Sequence, residues 1–332
     1  MSILSVNNLK AYYFNKKYGH INKVRAVDGV SFEVNENEIY GIAGESGCGK
    51  STLLKAVNGL AKPPLRILEG EVVCNFKDKD LDILSLDEEK QRRDIRGGVI
   101  SSIPQGSMSV LNPVRRIKKS FRDFIGAHRD IKDKIEFEDM VRQHLYALGL
   151  EWDVMKAFPH QLSGGMRQRV TIALATILRP QIVFADEPTT ALDVVVQRGV
   201  VQLIKEIKRE QRNTVIMVTH DMAIHANLCD RLAIMYAGEF VEEADIEVIY
   251  NKPKHPYTRM LLRSLPRIGD KSPRVSAPGS PPSLVNVPSG CRFHPRCTEA
   301  ENRCKEENPE LVEIEDGHRV ACFKAKSSEG GN

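Results

Sequence analysis

The chain lacks long apolar stretches. The run from Val170 to Leu178 is far too short to cross a bilayer, which takes about 20 residues, so other chains must supply any membrane spans. No basic segment followed by an apolar core opens the sequence, and no secretory signal is expected. It also lacks a charge imbalance. Lys and Arg number 48 against 44 Asp and Glu, and the net charge of +4 makes no case for a nucleic-acid partner. Cysteine is sparse, at seven residues. In a chain that reads as cytosolic, those seven point to metal or free thiols rather than disulfides. What remains is ordinary for a soluble globular protein, with 41% hydrophobic and 28% charged residues. At 332 residues the chain exceeds what one compact core holds, so two domains are expected.

The most informative stretch is Gly44-Glu45-Ser46-Gly47-Cys48-Gly49-Lys50-Ser51-Thr52. The apolar run Ile39–Ala43 before it reads as a buried strand, and the residues from Thr52 to Leu60 place their apolar side chains on one helical face. The pattern G-x-x-x-x-G-K-S in that context is a phosphate-binding loop. Its glycines let successive N–H groups point into one concavity, and the helix that follows adds the positive end of its dipole. Lys50 is expected on the β- and γ-phosphates and the Ser51 hydroxyl on Mg²⁺.

Other pieces lie far along the chain. Residues 3–34 read as short β-like runs, with an aromatic cluster at Tyr12-Tyr13-Phe14 that on its own reads as the edge of the core. Leu86 to Arg96 reads as a helix. Val99 to Gln105 reads as a strand, with Gln105 at its end able to ligate Mg²⁺ or orient water. Residues 106–160 read as mostly helical, an inserted subdomain. Ser163 is an N-cap before Gly164 and Gly165, whose bare backbone at a helix N-terminus forms a second anion site. Gln181 to Pro188 reads as a buried strand ending in Asp186 and Glu187. Asp186 is expected to hold Mg²⁺ through water, and Glu187 to take a proton from an attacking water. Asp193 lies in a turn before an amphipathic helix over Val194 to Glu210. His220 leaves the next buried strand, where it would sense a γ-phosphate.

In this order, the phosphate loop, Gln105, Leu162-Ser163-Gly164-Gly165-Met166, Asp186-Glu187, Asp193 and His220 resemble the ATP-binding subunits of ABC transporters over residues 1–240. Met166 stands where the commonest form of the signature has Gln. The resemblance implies an α/β fold: a RecA-like P-loop NTPase core, an N-terminal antiparallel β subdomain and an inserted helical subdomain at about 106–165. It makes Tyr13 the adenine-stacking residue. It also implies a head-to-tail pair in which Ser163 and Gly165 of one subunit cap the γ-phosphate held by the other. Implied partners are a second ATP-binding subunit, identical or not, two membrane permease subunits and an external solute-binding protein. The implied place is the cytoplasmic face of the membrane. A soluble ABC ATPase of DNA repair or translation is the rival reading, but the sequence carries neither a long coiled-coil insertion nor two tandem nucleotide domains.

Residues 241–332 differ in composition, with a Pro- and Ser-rich stretch from Ser272 to Pro288. Four cysteines, Cys291, Cys297, Cys304 and Cys322, follow in a C-x5-C-x6-C-x17-C pattern. A tail this small suggests a metal staple. Tetrathiolate zinc sites usually carry C-x2-C pairs, absent here, whereas wider spacing suits a [4Fe–4S] cube; spacing alone leaves Zn²⁺ and the cube open. The tail resembles that of oligopeptide and dipeptide transporter ATPases through Asn251-Lys252-Pro253-Lys254-His255-Pro256-Tyr257-Thr258 and Cys291-Arg292-Phe293-His294-Pro295-Arg296-Cys297. Some members of that branch carry a [4Fe–4S] cluster, so the resemblance favours iron–sulfur. It also favours di- or oligopeptides as cargo, with nickel and other small solutes open. Glu243-Ala244-Asp245 stands where the branch usually has Gly, a departure expected to fall in a turn. A third reading makes the four-Cys tail the functional part of a metal-responsive regulator.

Overall fold

The computed structural model describes residues 1–17, 20–76, 79–106, 110–131, 133–265 and 279–325. These residues divide into two compact units. One comprises residues 35–38 and 85–217 with Met1; the other comprises residues 2–34, 39–84 and the chain from Val218 onward.

The second unit contains two sheets. In the first, the strand order is His20–Asn35, Ser2–Lys17, Leu65–Phe76, Lys79–Asp82. Ser2–Lys17 and Leu65–Phe76 run antiparallel, from Leu4 opposite Cys74 to Tyr13 opposite Leu65, with a bulge between Asn7 and Ala11. The short runs expected near the N-terminus are thus two strands of 16 residues each. The second run of strands is Val312–Glu315, His318–Val320, Glu239–Asp245, Arg231–Tyr236 and Ile39–Ala43. Ile39–Ala43 is parallel to Arg231–Tyr236 and buried at every residue, as its unbroken apolar sequence requires.

The C-terminal residues share a core with that run. Tyr257, Leu262 and Phe293 pack in one cluster with Leu232, Ile234 and Tyr236. The strand Glu239–Asp245 places two carboxylates fully inside, and each is completely partnered, as burial demands. Glu242 accepts from the backbone N–H groups of Lys254 and His255 and from His318. Glu243 accepts from Tyr40, Arg231 and Arg319. Glu243-Ala244-Asp245 therefore lies in a strand, not in the expected turn.

In the other unit, the strands Ile100–Ile103, Ile182–Asp186 and Thr214–Val218 are neighbours in that order, the first two parallel. Helices Ile117–Gly126 and Lys134–Ala147 bury residues four apart, Ile117, Phe121 and Ile125 in one and Phe137, Val141 and Leu145 in the other. Gly164–Thr176 is capped by Ser163, and Val194–Gln211 by Asp193. The helix expected over Leu86 to Arg96 is instead one turn, Glu88–Lys90, running into a π-helical turn, Gln91–Ile95. The expected linker Ser272 to Pro288 lies outside the described residues up to 278. From 279 to 288 it contains neither helix nor strand.

Candidate functional site

The predicted site residues fall in both units. In the unit that carries the phosphate loop, the helix Lys50–Val57 starts directly at the lysine, with Gly49 as its N-cap at φ 116°. Gly44 and Gly47 also have positive φ, 154° and 80°. The glycines serve different ends. A Cβ on Gly44 would stand 2.2 Å from the Met235 carbonyl oxygen, and one on Gly49 2.0 Å from that of Ala26, whereas one on Gly47 would meet open space. Two glycines are thus required by close backbone approach, and Gly47 by its left-handed conformation. The buried Lys50 ammonium donates to the carbonyls of Gly44 (2.8 Å) and Glu45 (2.9 Å). Cys48 is buried beside it, and burial pushes its thiol pKa up. The Tyr13 hydroxyl lies 3.3 Å from Thr52 Oγ1, which brings the predicted stacking ring to the first turn of the loop's helix. His220 is exposed, next to Asp221, whose carboxylate accepts from the Ala223 N–H at 2.8 Å.

In the other unit, Gln105 Nε2 donates to Glu187 Oε2 at 3.3 Å, joining two predicted residues from the ends of adjacent strands. The Thr190 hydroxyl donates to the same oxygen at 2.7 Å. Glu187 has φ 49°, an uncommon conformation for a side chain of its size, and turns the chain directly after Asp186. The Ser163 hydroxyl accepts from the Met166 N–H at 3.2 Å and the Asp193 carboxylate from the Val196 N–H at 2.9 Å. Both side chains are helix caps here. Gly165 leaves no room for a Cβ, which would stand 2.9 Å from Val196.

Three supporting residues escaped the sequence reading. Buried Gln168 donates to the Pro188 carbonyl at 2.6 Å, tying the signature helix to the turn after Glu187. His225, wholly buried, has Nε2 3.2 Å from the Thr219 carbonyl, and burial lowers its pKa to about 4. Arg296 forms a two-pronged ion pair with Glu45 inside the phosphate loop, at 2.6 and 2.9 Å, and this hydrogen bonding raises the pKa of the guanidinium. Helical or strand periodicity signals none of these. Arg296 does lie within the Cys-Arg-Phe-His-Pro-Arg-Cys stretch, where its neighbours Cys291 and Cys297 carry the visible signal.

Cys291, Cys297, Cys304 and Cys322 line one small pocket with Pro256, Phe293 and Phe323, with a cavity volume of about 20 Å³. None of the four forms a disulfide among the described residues. Burial pushes Cys291 up to about 11 and also raises Cys297 and Cys322. Among the described residues, no three His, Cys, Asp or Glu side chains are grouped so as to hold a single metal ion. No described helix is long and apolar enough to cross a membrane.

Comparison with known proteins defines the class. Residues 27–190 match the ABC transporter family, and residues 241–304 match the C-terminal region of oligopeptide/dipeptide transporters. The chain is 41% identical to the dipeptide transport ATP-binding protein DppD of Caldanaerobacter subterraneus subsp. tengcongensis, over 96% of each chain. It is 38% identical to the oligopeptide transport ATP-binding protein AppD of Bacillus subtilis, over 97% of this chain and 96% of AppD. Among solved structures, a dimeric post-hydrolysis state of the ATP-binding cassette MJ0796 bound to ADP and Pi is 30% identical, with a TM-score of 0.62. That match covers 73% of this chain and 98% of the cassette. The chain belongs to the ATP-binding subunits of oligopeptide/dipeptide ABC transporters. Its fold is that of a P-loop NTPase, and it is an ATPase of the ABC class.

Proposed function

We propose that this ATPase works at the cytoplasmic face of a cell membrane and powers uptake of di- or oligopeptides through separate permease subunits. The observation that carries the proposal is chain-long similarity to dipeptide and oligopeptide transport ATP-binding proteins, joined to a matching C-terminal region. An external solute-binding protein delivers the peptide. Residues 1–240 act as the ATPase domain, with 106–165 as its helical subdomain, and 241–332 as an extension.

Gly44 to Thr52 cradle the phosphates of ATP, Lys50 contacts the β- and γ-phosphates, and Tyr13 stacks on adenine. Ser51, Gln105 and Asp186 hold Mg²⁺, which neutralises charge between the phosphates. Glu187 takes the proton of the attacking water, and His220 senses the γ-phosphate. The hydrogen bond from Gln105 to Glu187 supports this pairing, since it links the metal-side residue to the base. A second ATP-binding subunit, facing head to tail, contributes its own Ser163, Gly164, Gly165 and Asp193 to the γ-phosphate side. ATP then becomes part of the interface, so binding closes the pair and hydrolysis reopens it. The dimeric state of the solved cassette supports this reading.

The four cysteines hold a [4Fe–4S] cluster. Their meeting in one pocket supports a shared ligand. Zn²⁺ is the alternative occupant, and it would draw the four thiolates to about 2.3 Å in a tetrahedron. The cluster serves as a staple or sensor rather than in hydrolysis.

Transport is tested in proteoliposomes carrying the chain with its co-purified permease subunits and binding protein. MgATP drives accumulation of a labelled dipeptide, and Lys50→Ala abolishes it. Accumulation at the parental rate with Lys50→Ala, or of a nickel salt but no peptide, contradicts the proposal.

A further inference from the structure

Glu45 poses an electrostatic problem. A carboxylate in the second position of a phosphate loop repels the anion that the loop binds, unless a fixed positive charge offsets it. The structure supplies that charge from 251 residues downstream. The Arg296 guanidinium pairs with both carboxylate oxygens, at 2.6 and 2.9 Å, and its side chain is only 5% exposed. It also donates to the Tyr236 hydroxyl at 3.3 Å. The fork geometry fixes the carboxylate in direction as well as in charge.

The backbone of Glu45 is held too. Its N–H donates to the hydroxyl of Tyr257 at 2.9 Å, so this amide is engaged by a residue of the C-terminal extension. Tyr257 is wholly buried, and Phe293 packs on it with ring centroids 5.4 Å apart. The carbonyl of Glu45 accepts from Lys50 at 2.9 Å. One loop residue is thereby fixed at side chain, amide and carbonyl, and two of the three holds come from the C-terminal extension.

We propose that Arg296 and Tyr257 are positioning residues for ATP: by clamping Glu45, the C-terminal extension neutralises and orients the phosphate loop. The proposal rests on reading that loop as the nucleotide site.

Equilibrium binding of MgATP to the full chain tests it, with thermal unfolding followed in parallel. Arg296→Met leaves the Glu45 charge facing the phosphates and is expected to weaken binding by at least about tenfold. Adding Glu45→Gln to that variant removes the repulsion and is expected to restore most of the affinity. A residue needed only for folding would not be rescued in this way. Tyr257→Phe, which keeps the ring and loses the acceptor for the Glu45 N–H, is expected to weaken binding about three- to tenfold at an unchanged melting temperature. If Arg296→Met does not fold, Arg296→Lys, which keeps the charge but not the fork, takes its place with a loss of a few-fold. Parental affinity in Arg296→Met (or in Arg296→Lys in its place) and in Tyr257→Phe overturns the clamp, as does a double variant no tighter than Arg296→Met alone. Lys50→Ala separates the two ideas: parental binding in that variant overturns the loop assignment itself.

Discussion

Three histidines, half-buried His144 and fully buried His225 and His255, have pKa values lowered by desolvation to about 4. In the unfolded chain each titrates near about 6.5. Between those values the unfolded chain binds more protons than the native one, so stability is complete above about pH 6.5 and falls as pH drops toward 4. Each histidine contributes up to about 1.4 kcal/mol per pH unit across that window. Urea titrations at pH 7.5, 6 and 5 are expected to give steadily lower midpoints; equal midpoints would contradict neutral burial. Legibility at this scale follows sequence neighbourhood. Lys50 and Ser51 stand inside a contiguous pattern whose chemistry is written in its spacing, and Asp186-Glu187 announces itself as an acidic pair ending an apolar run. Gln168, His225 and Arg296 act through contacts made by folding, and nothing in their local sequence marks those contacts.

Among the elements, those with strong apolar patterning were the legible ones. Ile39–Ala43 and Ile182–Asp186 are strands because their unbroken apolar residues are buried on both faces. Val194–Gln211 is a helix with its apolar stripe on Val200, Leu203, Ile204 and Ile207. The π-helical turn at Gln91–Ile95 was not legible, because charged residues with good helix propensity give no signal of a widened turn. Nor was the strand Glu239–Asp245, whose acidic content argues against burial until its partners from distant segments are known. The four-cysteine element makes its own prediction. Anaerobically purified protein is expected to be brown with broad visible absorption, and Ser replacements of Cys291, Cys297, Cys304 and Cys322 together are expected to remove the colour. Colourless parental protein with one bound zinc per chain would contradict the cluster.

For the molecule as a whole, chemistry and assembly are two faces of one proposal. In the proposed head-to-tail pair, several charge-assisted hydrogen bonds to one γ-phosphate, each contributing about 1.5–3 kcal/mol, would suffice to decide between open and closed states. The family relationship covers nearly the full chain, the C-terminal residues included. The most direct test is phosphate release from MgATP by the chain assembled with its permease subunits, parental beside Glu187→Gln. The account predicts a loss of at least about 100-fold in Glu187→Gln, with nucleotide still bound and the ATP-binding subunits held together as a pair. Hydrolysis by Glu187→Gln at the parental rate would contradict it.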